Sequence, residues 1–370
     1  MTPTDDARFM ALALALGRRG LGRTWPNPAV GAVIARNDGA EPVIVGRGWT
    51  QPGGRPHAET EALRRAGEAA RGATLYVSLE PCSHHGKTPP CADAIAAAGL
   101  ARVVSAMVDP NPEVAGAGHW RLAEAGIVVE VGVGAEEAAR AHAGHIRRVR
   151  EGRPHVLLKL AVSADGKAGL AGRRAAVITG EPARARVHAM RAMSDALLTG
   201  IGTVLADDPL LTCRLPGMTE RSPVRIVLDN SLRLPPESRL AATARETPLW
   251  VVTGEAAPQE RAEILQRHGA EVLRVTSSAG RLDLAVVLRV LAARGITRLM
   301  VEAGPILAAA FLAADLVDES VLLRAPTSIG ADGIDALEGC PLETLTRSPR
   351  LIRTGSEAVG GDTIEHYQRQ

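Results

Sequence analysis

The sequence predicts an α/β protein of two domains, and three observations lead there. The chain has 370 residues, enough for two self-sufficient cores. Strand-like apolar runs alternate with helix-like stretches through both halves. Between His145 and Pro154 the segment "HIRRVREGRP" is charged and non-periodic, ends in Gly-Arg-Pro, and interrupts the alternation. We therefore place the domains at residues 1–150 and 151–370.

In the first half, Thr4 or Asp5 caps a helix running to about Arg19. "AVGAVIAR" (from Ala29) and "EPVIVGRGW" (from Glu41) are short apolar runs around "NDG", the pattern of a β-hairpin. "HAETEALRRAGEAA" from His57 reads as a helix, and "ATLYVSLE" from Ala73 as a strand. A helix from Cys91 to Ala98 precedes the strands "ARVVSAMVD" and "GIVVEVGV". After the boundary come the strand "HVLLKLAVS" from His155, a helix from Glu181, and "DALLTGIG" from Asp195. "PVRIVLDNS", "PLWVVTG" and "RLMVEAGP" supply further strands, and no internal repeat stands out.

Composition narrows the function. Lys and Arg total 43 against 41 Asp and Glu, a net charge of +2, which gives no electrostatic reason to expect nucleic acid or an acidic membrane as partner. Aromatic residues make up 2%, too few for a base-stacking platform. Four cysteines in a chain this long are no disulfide framework. The N-terminal apolar run follows acidic residues, unlike a secretory signal, and nothing approaches the roughly 18 apolar residues of a membrane helix. A cytoplasmic protein is expected.

The densest chemistry lies in "LEPCSHHGKTPPC", Leu79 to Cys91, with "PHAE" upstream. H-x-E followed by P-C and a second Cys is the pattern of zinc deaminases. His57, Cys82 and Cys91 supply two thiolates and an imidazole, leaving the fourth tetrahedral position of Zn²⁺ open for chemistry. Glu59, two residues past His57, is the acid/base candidate. Pro81 is expected to place Cys82 at a helix start, where the dipole favours thiolate. A closed site of Cys82, Cys91 and both His84 and His85 would leave "PHAE" unexplained, and two adjacent histidines would struggle to reach one metal together. Eight residues separate the cysteines instead of two, and Lys87 in that loop is a candidate contact for a substrate phosphate. Asn27, in "WPNPAVGAV", is either a substrate-amide contact or a turn residue.

In the second half, "VEAGPILAAAFL" ends a strand at Glu302, turns at Ala303-Gly304 and opens a helix at Pro305. Such a junction presents backbone N–H groups to an anion such as a dinucleotide phosphate, or is an ordinary tight turn. Lys159 sits inside an apolar strand and needs a partner, for which Glu302 is the candidate.

Together these motifs resemble the bifunctional deaminase/reductase of riboflavin biosynthesis, nearly end to end. "WPNPAVGAV", "PHAE" and "LEPCSHHGKTPPC" look like its deaminase half, and "KLAVSADGK", "TVLADDPLLT", "RIVLDNS" and "VEAGPILAAAFL" like its reductase half. The long inter-cysteine loop is part of that resemblance. It implies a cytidine-deaminase-like α/β/α sandwich followed by a dihydrofolate-reductase-like α/β domain. Zn²⁺ and NADPH would be the cofactors, and a phosphorylated diaminopyrimidinone the small-molecule substrate of a homo-oligomer. The ring amine is hydrolysed first; NADPH then reduces the ribosyl group to a ribityl chain. By position, Ala161, Thr203, Asp207, Asn230, Gly304, Pro305, Ile306, Leu307, Ala308, Ala309 and Ala310 fall where the family binds NADPH. Arg191, Leu211, Arg214 and Glu302 fall where it binds substrate; Lys159, Asp207 and Glu302 match polar residues of the reductase pocket.

Two departures stand out. Ala175 and Val177 replace a Ser and a Trp usual in the family, and Thr327 stands where Lys is common. Ala175 and Val177 motivate an alternative, a deaminase with a degenerate, binding-only or oligomerising second half. A nucleic-acid-editing deaminase is a third reading, weighed against by the balanced charge.

Overall fold

The computed structural model describes residues 2–370 apart from Ala40, 85–88, 174–175 and 279. The chain divides into two compact units, residues 1–152 and 153–370.

Unit 1 contains α1 (Pro3–Gly17), β1 (Gly31–Arg36), β2 (Val43–Trp49), α2 (Ala58–Ala66) and β3 (Thr74–Val77). It continues through α3 (Cys91–Ala97), β4 (Arg102–Ser105), α4 (Ala117–Glu124), β5 (Val128–Val131), α5 (Ala135–Ala141) and α6 (Ala143–Glu151). The cap of α1 is Thr2, not Thr4 or Asp5. Thr2 and Asp5 close a capping box, and Pro3 takes the first helical position, where its missing N–H costs nothing.

The sheet order is β2-β1-β3-β4-β5, with β1 antiparallel to β2 and β3, and β3, β4 and β5 parallel. Alternation along β1 sends Ala32 and Ile34 to one face and Val33 and Ala35 to the other. The first pair packs with Ala58 and Ala62 of α2, Ile95 of α3 and Leu122 of α4. The second packs with Phe9, Met10, Ala13 and Leu14 of α1 and Ala138 of α5. Helices therefore cover both faces, the expected α/β/α sandwich. At Gly48 a Cβ would lie 2.3 Å from the Ala58 carbonyl oxygen, so only glycine lets the first turn of α2 rest on β2.

The segment expected to be an irregular boundary is instead α6. Its charge pattern hides a helix that Gly152 ends at φ 65°, in the left-handed conformation glycine tolerates. The buried rings of His142 and His145 anchor it, at 3.1 Å to the Ser78 carbonyl and 2.9 Å to Asp109.

Unit 2 begins with β6 (His155–Val162), β7 (Lys167–Gly169), α7 (Glu181–Ala192), β8 (Ala196–Gly200), α8 (Ile201–Asp207) and β9 (Val224–Leu228). Next come α9 (Arg239–Ala242), β10 (Leu249–Gly254), α10 (Gln259–Arg267), β11 (Glu271–Val275), β12 (Ser277–Ser278), β13 (Arg281–Leu282) and α11 (Leu284–Ala293). The last elements are β14 (Arg298–Val301), α12 (Pro305–Ala313), β15 (Glu319–Arg324), β16 (Ile334–Asp335), α13 (Glu343–Thr346), β17 (Leu351–Val359) and β18 (Asp362–Arg369).

Nine strands form one sheet in the order β11-β10-β9-β8-β14-β6-β15-β18-β17. From β11 to β15 all are parallel; β18 and β17 add an antiparallel hairpin. Buried carboxylates stitch the amino-terminal ends of the parallel strands. Asp195 accepts from the main-chain N–H of Thr297 and Arg298 and from the Thr297 hydroxyl, at 2.8, 2.9 and 2.6 Å. Asp318 accepts from Arg153 at 2.6 and 2.7 Å and from the Val156 N–H at 2.9 Å. The carboxyl-terminal ends are left for other uses. Among the described residues, no helix is long and apolar enough to cross a membrane.

Candidate active sites

The first site forms where α2 and α3 begin. His57 is the N-cap of α2, and Glu59 lies in its first turn, 4% exposed. Cys91 opens α3, with Pro90 as N-cap. Cys82 does not start a helix as expected; it sits in the loop after β3. The helix comes to it all the same, because the Cys91 N–H donates to Cys82 Sγ at 3.3 Å.

His57 Nδ1 lies 3.3 Å from Cys91 Sγ and 3.7 Å from Cys82 Sγ. Tetrahedral zinc, with Zn–S near 2.3 Å and Zn–N near 2.0 Å, separates its ligand atoms by about 3.5–3.8 Å. The three residues therefore fit that ion, and their ligand atoms all lie within 4.8 Å of one another. His84 is exposed and outside this group, while His85 and Lys87 lie outside the described residues.

Electrostatics at the site follow from burial and shared protons. The Cys91 thiol and the His57 ring hold the Cys82 thiol well below its ordinary value, while Cys82 and burial push Cys91 up. A divalent cation would override this pattern and deprotonate both thiols. Burial pushes the Glu59 carboxyl above its ordinary value. Asn27 donates to the Gly54 carbonyl at 2.9 Å, with its Nδ2 3.4 Å from His57 Nε2. It thus lies against the outer edge of the imidazole.

One residue that shapes this site gave little sequence signal. Glu80, two residues before Cys82, is buried and accepts from four main-chain N–H groups, those of Asp109, Gly116, Gly118 and His119, at 3.0, 3.0, 2.8 and 3.3 Å. It folds the 109–119 segment onto the strand end that leads to Cys82. At Gly118 a Cβ would lie 2.0 Å from the Pro81 carbonyl oxygen, so this approach requires glycine. The only trace in the sequence is the Pro-, Asn- and Gly-rich "DPNPEVAGAG".

The second site lies at the carboxyl ends of the parallel strands of unit 2, where open α/β sheets bind ligands. Glu302, just past β14, forms a two-pronged pair with Arg191 of α7, at 2.6 and 2.9 Å. Lys159 of β6 stands 4.0 Å from Glu302, the partnership its apolar strand demanded. Burial alone would raise the Glu302 pKa, but the charges of Arg191 and Lys159 hold it below the ordinary carboxylate value. Burial lowers that of Lys159. A third nitrogen of Arg191 donates to the Thr212 carbonyl at 3.0 Å, whereas the exposed Arg214 guanidinium makes no hydrogen bond or ion pair among the described residues. Leu211, buried, sits in the same loop.

Beside this trio, Gly304 caps α12 with no side-chain hydrogen bond, and Pro305 holds the first helical position. A Cβ on Gly304 would lie 3.3 Å from Thr203 Oγ1, and one on Gly200 3.3 Å from Leu307 Cδ2, so the starts of α8 and α12 sit side by side. Ile306 is exposed, while Ala308 is wholly buried and its N–H donates to the Gly304 carbonyl at 3.0 Å, so it does not face a ligand. Ala309 and Ala310 continue the helix, Ala161 lies near the end of β6, and Asp207 ends α8, its carboxyl raised by burial. Thr199 Oγ1, Thr253 Oγ1 and Asn230 Oδ1 are buried without a hydrogen-bond partner among the described residues. The uncapped start of α12 against that of α8, with the orphaned Thr199 Oγ1 at the end of neighbouring β8, fits a phosphate-bearing cofactor. Val177 is 88% exposed, and Ala175 lies outside the described residues.

Comparisons with known proteins match two separate stretches of the chain. Residues 3–107 match the family described as the cytidine and deoxycytidylate deaminase zinc-binding region, and residues 154–364 match the RibD C-terminal domain. The riboflavin biosynthesis protein RibD of Escherichia coli K12 is 44% identical, covering 98% of this chain and 99% of its own. That of Aquifex aeolicus is 39% identical over 98% of each. The solved structure of Acinetobacter baumannii RibD superposes with a TM-score of 0.87 at 35% identity, covering 100% of both chains. A diaminohydroxyphosphoribosylaminopyrimidine deaminase/5-amino-6-(5-phosphoribosylamino)uracil reductase from Thermotoga maritima gives 0.84 at 34%, covering 100% of this chain and 99% of its own. With two matched domains and relatives alike along their full length, this chain belongs to the RibD family of riboflavin biosynthesis proteins.

Proposed function

We infer that this chain is a bifunctional enzyme of riboflavin biosynthesis, a zinc-dependent deaminase joined to an NADPH-dependent reductase. Its substrate on this reading is 2,5-diamino-6-(5-phosphoribosylamino)pyrimidin-4-one. The convergence of His57 Nδ1, Cys82 Sγ and Cys91 Sγ beside the buried Glu59 carries the reading. Those three side chains hold the metal, and zinc bound there supplies a nucleophilic water with a pKa lowered to about 7. Glu59 accepts a proton at its carboxylate as the amine-bearing ring carbon is attacked. It then donates that proton to the departing nitrogen, so that water is consumed and ammonia released. Asn27 and Lys87 orient the pyrimidine and its phosphate.

In the reductase, NADPH bound there would supply a hydride for the ribosyl carbon in its ring-opened imine form, with a proton from solvent completing the amine. The start of α12 at Gly304 and Pro305, with Thr203 and Asn230, holds the dinucleotide. Arg191, Lys159 and Arg214 outnumber Glu302 in positive charge, which suits a phosphorylated substrate. We further propose that the protein acts on free small molecules, not nucleic acid, in the cytoplasm. We propose a homo-oligomer; among the described residues β17, like β11, is an edge strand open to pairing with a second copy.

Chelation tests the metal assignment. Stripping zinc from the purified protein is expected to stop ammonia release, and adding zinc back to restore it. Reduction of separately supplied deaminated substrate should continue throughout. Ammonia release that persists in metal-free protein would refute the site.

A further inference from the structure

One histidine of the reductase half has no role in the reading above. His188 lies on α7 three residues before Arg191, so the two share a helix face. Its Nδ1 accepts from the main-chain N–H of Arg214 at 3.2 Å. Arg191 holds the Thr212 carbonyl at 3.0 Å, and the Ser222 hydroxyl accepts from the Cys213 N–H at 3.1 Å. Three successive residues, 212–214, thus each have a main-chain polar group held by a side chain, and α7 supplies two of the three.

The loop needs this support. It begins at Leu211, whose φ of 55° is a left-handed conformation that a branched side chain adopts only under constraint. Arg214, at its far end, is the guanidinium left without a protein partner among the described residues. Because Nδ1 accepts, the ring is neutral with its proton on Nε2. Burial, then the charges of Arg191 and Arg214, lower the His188 pKa and so favour that neutral form.

We propose that His188 is a positioning residue of the reductase: its Nδ1 fixes the 211–214 loop so that Arg214 meets the phosphate of the pyrimidine substrate. This rests on the reading that Leu211 and Arg214 contact that substrate. The test is steady-state kinetics of the full chain with deaminated substrate and NADPH, comparing His188→Asn, His188→Gln and His188→Ala. Asn places an acceptor where Nδ1 stands; Gln places its polar group at the Nε2 position.

Gln and Ala are expected to raise KM for the pyrimidine about tenfold, the scale of one hydrogen bond, with KM for NADPH unchanged. Asn is expected to return it near the original value. Asn and Gln are close in size, so their comparison stands whether or not the Ala variant folds, and ammonia release by the same preparations reports on the intact first unit. An unchanged KM in the Gln variant, or Asn no better than Gln, would overturn the positioning role while the bifunctional reading stands. Absence of NADPH oxidation by the unsubstituted protein would overturn both.

Discussion

Glu59→Gln is expected to slow ammonia release by about 10²- to 10⁴-fold while zinc stays bound. Glutamine keeps the length and shape of the side chain, and it is not one of the three residues whose atoms converge on the metal. What it lacks is a carboxylate that can take a proton and return it. Burial of Glu59 at 4% exposure removes competing solvent and raises its pKa, so no nearby water substitutes cheaply. The measurement pairs ammonia release with metal content. Full activity in the variant would remove Glu59 from the mechanism. Loss of activity together with loss of zinc would assign it a structural role instead.

The second large effect is expected at Glu302. Glu302→Ala leaves the partly buried Arg191 guanidinium and Lys159 ammonium without their carboxylate; breaking a fully buried pair costs about 3–5 kcal/mol, and the partial exposure here puts the expected loss below that. Denaturant unfolding should show the loss, together with failure of NADPH oxidation. Ammonia release should be retained, because its residues all belong to unit 1. Glu302→Gln, which keeps an acceptor for Arg191, should cost less. The same pair predicts a pH dependence. Glu302 has a lower pKa folded than unfolded, so its contribution is present above the ordinary carboxylate value and is lost as pH falls through the folded value. An unfolding midpoint indifferent to Glu302→Ala would show that the cations find other partners.

The parts of this protein legible in sequence are those where chemistry restricts residue type. His57, Cys82 and Cys91 stand out because few combinations hold zinc, and Lys159 called for Glu302 because a cation in an apolar strand needs a carboxylate. Glu80 was hidden for the opposite reason. Its partners are main-chain N–H groups 29 to 39 residues away, which any sequence supplies. The helix α6 was masked by arginines that read as solvated linker, while its docking rests on His142 and His145. The hairpin of β17 and β18 was missed because β17 is almost wholly exposed and shows no apolar alternation. His188 shows no motif at all; its partner is the main-chain N–H of Arg214.

The central claim is that one chain performs both reactions. Following ammonia and NADPH together in a single mixture of purified protein and diaminopyrimidinone substrate tests it most directly. The account predicts ammonia first, then oxidation of an equal amount of NADPH, with zinc chelation abolishing both and Glu59→Gln suppressing both. Ammonia released in full while NADPH remains unoxidised would contradict it.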